Sequence, residues 1–179
     1  MNYFVTGGTG FIGNFLVPKM LDRGGKVYML VRKSSMHKVD ALREYWGAGK
    51  DQVIAVEGDL HSKKLGVKPA WIKQHAGSID HFMHLAAIYD LTADAESQRL
   101  SNVEGTSEAI KLSKSLKSGC FHLVSSIAAA GLYKGTFTED MFDEATDMDN
   151  PYFWTKHESE GLVRKEKKMA WRIYRPGMV

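Results

Sequence analysis

Tyr152 and Lys156 stand four residues apart in the run Asn150-Pro151-Tyr152-Phe153-Trp154-Thr155-Lys156, which carries its own helix-start signal. Asn150 can cap the first free amides, and Pro151 suits the first helical turn, where its missing N–H would have had no partner. In a helix, residues four apart share one face. A phenol, with an ordinary pKa near ~10, is a poor acid or base at neutral pH. A lysine ammonium alongside favours the phenolate and brings the phenol toward the working range, so the pair is a candidate general acid/base. Tyrosine and lysine also fall four apart by chance in many helices, so the surrounding sequence decides the meaning.

The second chemical signal lies at the other end of the chain. Thr6-Gly7-Gly8-Thr9-Gly10-Phe11-Ile12-Gly13 follows a short apolar run and opens a helical pattern. Gly7 permits a tight turn, Gly10 lets backbone approach a pyrophosphate, and Gly13 allows close packing of the helix start on the strand. The first amides of that helix then face the anion. A second apolar run ends Leu30-Val31-Arg32-Lys33-Ser34 with no acid to take a ribose 2′-hydroxyl. An arginine there suits a 2′-phosphate, so the expected cofactor is NADP(H), with Arg32 as main contact and Lys33 and Ser34 as helpers. Ser125-Ser126 ends a later run, at the strand edge where α/β folds place ligands.

The elements that must position these groups follow from hydrophobic pattern. Expected strands are Tyr3 to Val5, Val27 to Val31, Val53 to Val56, His81 to Leu85, Phe121 to Ser125 and Trp171 to Tyr174. They are mostly unbroken apolar runs, as in a parallel sheet covered on both faces. Helical patterns alternate with them: Phe11 to Asp22, Ser34 to Tyr45, Pro69 to Gln74, a long one within Ser97 to Leu116, and Tyr152 to Lys168. Phe11, Phe15, Leu16 and Met20 form the apolar stripe expected to lie on the sheet. Strands alternating with helices give the expected fold class: α/β, a Rossmann-type doubly wound parallel sheet with helices on both faces. One domain, 1–179, is expected, without the C-terminal part that would complete a substrate pocket.

In this order the motifs resemble the extended branch of the short-chain dehydrogenase/reductase superfamily. The glycine run is similar to its TGxxGxxG signature, which brings Thr9, Phe11 and Ile12 into the expected cofactor contacts beside Gly7, Gly10 and Gly13. Tyr152 and Lys156 resemble YxxxK, which implies that Tyr152 donates a proton to the substrate oxygen and that Lys156 also holds the nicotinamide ribose. The resemblance further implies an adenine contact from Asp59 and Leu60 in Gly58-Asp59-Leu60, although Asp59 is equally a turn former. Ala86 and Ala87 in His84-Leu85-Ala86-Ala87 would lie near the nicotinamide ribose. Ser126 would hydrogen-bond the substrate oxygen, with Ser125 its structural neighbour, and Asn102 in Asn102-Val103-Glu104-Gly105-Thr106 would support a water and proton path to the lysine. Pro176 and Gly177, in Tyr174-Arg175-Pro176-Gly177-Met178-Val179, would lie by the nicotinamide. Trp154 departs from the small residues common inside YxxxK.

Within that branch, the segment from His84 through Tyr89, Ser-Ser-Ile-Ala-Ala-Ala-Gly and the run around Tyr152 look most like the cofactor domain of bacterial fatty acyl-CoA reductases, related to male-sterility proteins and thioester reductases. The resemblance implies NADPH-dependent reduction of an acyl-CoA or other thioester to the aldehyde, with further reduction to the alcohol in some relatives. The alternatives are a carbonyl reductase, a sugar-nucleotide epimerase or dehydratase of the same branch, and a fragment that binds cofactor without turnover. Ala129-Ala130-Gly131 and Arg32 point away from the epimerases.

Composition narrows the remaining classes. With 179 residues, 44% hydrophobic and 25% charged, the chain reads as one ordinary globular unit. A net charge of +3, from 24 Lys and Arg against 21 Asp and Glu, is too mild for a nucleic-acid footprint. The longest apolar run, Ile127 to Tyr133, is about a third of the ~20 residues a membrane-spanning helix needs. One cysteine, Cys120, excludes an internal disulfide and fits a reducing compartment, so a cytoplasmic location is expected. Met1 leads at once into structural sequence, with no targeting peptide expected. His81, His84 and His157 have no acid or thiol at ligand spacing, so no metal site is expected. The acidic stretch at 139–149 and the basic cluster Arg164, Lys165, Lys167 and Lys168 read as solvated surface. A homo-oligomer is compatible with all of this.

Overall fold

The computed structural model describes residues 1–88 and 93–177. Six strands, β1 (Asn2–Thr6), β2 (Lys26–Val31), β3 (Val53–Glu57), β4 (His81–His84), β5 (Cys120–Val124) and β6 (Trp171–Tyr174), pair entirely in parallel in the order β3-β2-β1-β4-β5-β6. The order reverses between β1 and β4, and the crevice beyond the carboxyl ends of those two strands is where such sheets seat ligands. Tyr3 pairs with His81 and Thr6 with His84, so Gly7 and Leu85 leave the sheet side by side.

Alternate residues of each strand feed two separate cores. Tyr3, Val5, Val27, Met29 and Val53 pack with Val17 and Met20 of α1 (Phe11–Leu21) and Val39 of α2 (Val39–Tyr45). Phe4, Leu30, Val56, Phe82, Phe121 and Leu123 point the other way. They meet Ile72 of α3 (Pro69–His75) and, after the short α4 (Ala95–Gln98), Ala109, Ile110 and Leu112 of α5 (Gly105–Ser115) and Val163 of α6 (Pro151–Arg164). The doubly wound expectation is therefore correct. The first core draws Met83 from β4 and nothing from β5 or β6. On that face His81, His122, Arg172 and Tyr174 instead line a groove beside α1.

Four local expectations are corrected. The stripe on α1 holds at Leu16 and Met20 but fails at Phe11 and Phe15, which are 64% and 63% exposed and stack edge to face on each other, while Gly13, Val17 and Met20 face inward. Those three are spaced i, i+4, i+7, an equally good helical stripe. The pattern at 34–45 divides into a tight 3-10 stretch over Lys33–Lys38 followed by α2. The long pattern likewise divides, with a π-helical stretch over Arg99–Glu104 between α4 and α5. The last helix stops at Arg164 rather than Lys168.

Candidate active site

The loop from Gly7 to Gly10 is shaped by contacts that only glycine allows. Gly7 sits at φ +72, and a Cβ there would lie 2.6 Å from the Ala86 amide nitrogen. Two strand ends are thereby brought into backbone contact. A Cβ on Gly13 would lie 2.4 Å from the Gly8 carbonyl oxygen, so Gly13 packs closely against the loop itself. Gly10 heads α1 with no side chain capping it. The first-turn amides of an eleven-residue helix are thus left for an anion, and the residues present fit a dinucleotide pyrophosphate.

His84 locks this loop from behind. Thr106 gives its hydroxyl proton to the Asn102 carbonyl at 2.6 Å, so its oxygen accepts from His84 Nε2–H at 3.1 Å. His84 Nδ1 is then the acceptor for the Thr6 hydroxyl at 2.8 Å, and Thr6 Oγ1 accepts in turn from the Ala86 amide at 3.3 Å. Burial, seconded by the Lys156 charge, pushes His84 down to about 3, so it remains the neutral tautomer these bonds require.

Tyr152, Lys156, Ser125, Ser126, Phe11, Ile12, Pro176 and Gly177 line one cleft of about 270 Å³ together with Gly7, Gly10, Ala86 and Ala87. A second cleft of about 350 Å³ shares Gly7, Gly10, Ala86 and Ala87 and continues past Thr9, Arg32, Ser35, Asp59, Leu60 and His61. The two form one trough across the switch point, each half near the ~300 Å³ lower limit of ordinary small-molecule sites. Lys33 is exposed and does not line it, whereas Ser35 does. Ser34 is exposed too. Asp59 lines the trough and also forms the turn, its carboxylate accepting from the His61 amide at 2.9 Å.

Asn150 caps α6 as its sequence suggests, its side-chain oxygen accepting from the Tyr152 amide at 2.8 Å. The helix buries Tyr152 and Lys156 against the end of β5. Lys156 Nζ donates to the Val124 carbonyl at 3.0 Å. Burial brings its pKa down to about 8, with the Glu160 charge pulling the other way. The two serines differ in commitment. Ser125 donates to Glu160 Oε2 at 3.0 Å, while Ser126 Oγ accepts from the Ala128 amide at 3.1 Å. Among the described residues, the Ser126 hydroxyl proton has no acceptor and is available to a ligand.

Asn102 is not brought to the cleft. Its carboxamide oxygen accepts from the Ile88 amide at 2.8 Å, and its nitrogen donates to the Ile88 carbonyl and to Thr155 Oγ1 at 3.3 and 3.1 Å. It ties the segment after β4 to α6. Tyr89 and the final Met178-Val179 of the sequence motifs lie outside the described residues. Sequence reading missed Ser35, the Thr6–His84–Thr106 lock, and Glu160 with Arg175. Glu160 stands at i+8 from Tyr152 on the same helix face, a spacing that could have drawn attention to it.

Known proteins agree with this architecture. The family model described as male sterility protein matches residues 5–179. The nonribosomal peptide synthetase asaC of Aspergillus flavus is 28% identical over 98% of the chain, which spans 19% of that protein. The putative fatty acyl-CoA reductase CG8303 of Drosophila melanogaster is 27% identical over 99% of the chain, spanning 41% of that protein. The crystal structure of the terminal R domain from the myxalamid PKS-NRPS biosynthetic pathway superposes with a TM-score of 0.86 at 26% identity, covering 98% of this chain and 48% of that one. This chain thus spans less than half of each of these relatives. With a family match along nearly its whole length and the same doubly wound sheet, the chain belongs to the male-sterility family of the extended short-chain dehydrogenase/reductases.

Proposed function

We propose that the chain is the cofactor-binding part of an NADPH-dependent reductase of acyl thioesters. The observation that carries this reading is a single trough holding an uncapped glycine-headed helix at its middle, Arg32 at one end, and Tyr152, Lys156 and Ser126 at the other. Gly7, Thr9, Gly10, Phe11 and Ile12 would hold the dinucleotide, with Gly13 shaping the loop. Arg32 and Ser35 would take the 2′-phosphate, Asp59 and Leu60 the adenine, and Ala86, Ala87, Pro176 and Gly177 the nicotinamide end. When bound, NADPH supplies a hydride equivalent to a carbonyl carbon.

The protein's own groups then manage charge and proton. Ser126 donates its free hydroxyl proton to the thioester oxygen, and Tyr152 gives the proton that neutralises the oxygen as it gains charge. Lys156, cationic below about pH 8, favours the phenolate that Tyr152 leaves behind. Breaking of the C–S bond in the resulting hemithioacetal releases a thiol and an aldehyde. The putative fatty acyl-CoA reductase relatives support a thioester as the substrate class.

The test is NADPH oxidation by the longest form of the protein with a long-chain acyl-CoA and, separately, a simple aldehyde. Oxidation with the acyl-CoA, accompanied by free thiol, is expected; oxidation with the aldehyde alone would make it a general carbonyl reductase. Tyr152→Phe should lower turnover at least ~1000-fold while NADPH still binds, since it removes the proton and keeps the ring. Direct titration should give clearly tighter binding of NADPH than of NADH, and equal affinity would overturn the Arg32 assignment.

A further inference from the structure

Glu160 is fully buried on α6, one turn beyond Lys156 and two beyond Tyr152. A lone carboxylate in that position would take up a proton. Burial does push its carboxyl upward, but Arg175, Arg164 and Ser125 outweigh burial and hold it below the usual carboxylate range. Arg175 grips it side-on with one edge of the guanidinium, Nε to Oε2 at 3.1 Å and the adjacent terminal nitrogen to Oε1 at 2.5 Å. Arg164 Nε donates to Oε1 at 2.9 Å, and the Ser125 hydroxyl to Oε2 at 3.0 Å. All the acceptor directions of one carboxylate are thus engaged by three segments of chain.

The same guanidinium groups reach further. Arg175 also donates to the carbonyls of Thr138 and Met141 at 2.9 and 2.7 Å, and Arg164 to that of Glu139 at 3.2 Å. Phe142 closes the contact, with its ring under the Arg164 guanidinium, flat on His157 at 4.0 Å, and so near Gly161 that a Cβ there would lie 3.1 Å away. The stretch that reads in sequence as solvated acid is therefore clasped to the helix by its backbone, and Arg164 is turned inward.

We propose that Glu160 and Arg175 are positioning residues that assemble the cleft as one unit. Glu160 joins the helix bearing Tyr152 and Lys156 to the strand end bearing Ser126, while Arg175 fixes the Pro176-Gly177 turn and the 138–142 segment to the same carboxylate. The proposal rests on the reading of this cleft as the reaction site. Because Glu160 also favours the charged form of Lys156, its loss has a consequence that a purely structural role lacks: Lys156 loses its proton at lower pH.

Glu160→Gln in the longest form of the protein should lower kcat at least 10-fold with KM changed less than 3-fold, and should move the alkaline limb of the kcat profile to lower pH. Unchanged kcat and an unmoved alkaline limb would overturn the proposal. Should that variant fail to fold, Arg164→Gln removes only the outer guanidinium. In that variant a glutamate-specific protease should cut after Glu139 at least 5-fold faster, and an unchanged rate would sink the clasp. The protease readout needs no substrate, so an enzyme silent on acyl-CoA and aldehyde would refute the proposed function and still leave the clasp decided.

Discussion

Lys156 holds a charge where burial makes a charge costly, 4% exposed and with its pKa brought from 10.5 to about 8. At pH 7 it is protonated both folded and unfolded, so the fold bears a penalty of up to about 3 kcal/mol, taking about 1.4 kcal/mol per pKa unit. The sign follows: between about pH 8 and 10.5 the unfolded chain binds more protons than the folded one, and stability contributed by this group rises with pH across that window. Lys156→Met should therefore abolish turnover and stabilise the free protein at pH 7 by about 1–3 kcal/mol, the loss of the Val124 hydrogen bond trimming the gain. Urea denaturation of both forms at pH 7 measures it, and a destabilised variant would remove the strain assigned to this lysine. At this scale residue type and spacing were enough to single out two side chains that the fold gathers into one cleft, Tyr152 and Lys156. The sequence was silent on the pairing of Glu160 with Arg175, which lie 15 residues apart and meet only because β6 runs beside β5. It could not rank Ser126 against Ser125 by environment, since what separates them is the buried Glu160 that takes the Ser125 proton.

At the scale of elements, the strand-loop-helix unit at 2–21 was legible as a whole and misread in its orientation. Phe11 and Phe15 are the largest apolar side chains on α1, and apolar weight alone turned them toward the sheet. Backbone geometry decides otherwise: the loop must return close to the helix start, so Gly13 has to face it, and Val17 and Met20 follow on the same side. A methyl on Gly13 would stand 2.4 Å from the Gly8 oxygen and 2.6 Å from that of Gly7, both backbone atoms that cannot swing aside. Gly13→Ala should accordingly cost about 2–4 kcal/mol and weaken NADPH binding at least ~10-fold through a displaced loop. Gly177→Ala, with nothing among the described residues within 4 Å of the added carbon, should leave the melting temperature unchanged and serves as the control. Equal melting temperatures for the two variants would show that the loop relaxes around the methyl. The helix breaks at 33–45 and 97–116 were not readable, because helical periodicity is nearly the same for 3-10, α and π turns and the switch between them is set by packing.

For the whole molecule, unbroken apolar strands implied a sheet covered on both faces, and two cores filled by alternate strand residues bear that out. What the pattern could not place were the histidines within those strands. His84 ends inside, 1% exposed, and His122 lies 5% exposed between His81 and Tyr174, bonded to them at 3.0 and 2.9 Å. Burial brings His84 to about 3 and His122 to about 4, with His81 and Arg172 adding to the effect on His122. Both imidazoles stay neutral in the fold while an unfolded chain protonates them near the ordinary 6.5, so below that pH the unfolded state binds the extra protons and stability falls. Each group then contributes a slope approaching about 1.4 kcal/mol per pH unit until its folded value is reached. From pH 7 to pH 5 the two together should remove about 3–4 kcal/mol, a large part of the ~5–15 kcal/mol by which a domain is held folded. Urea midpoints at pH 7, 6 and 5 test this for the protein, and His122→Leu should roughly halve the part of the dependence that the two imidazoles carry, because of the pair His84 alone remains. A variant with the full acid sensitivity of the parent would mean that His122 is already protonated in the fold, and that its bonds to His81 and Tyr174 hold a cation across the sheet.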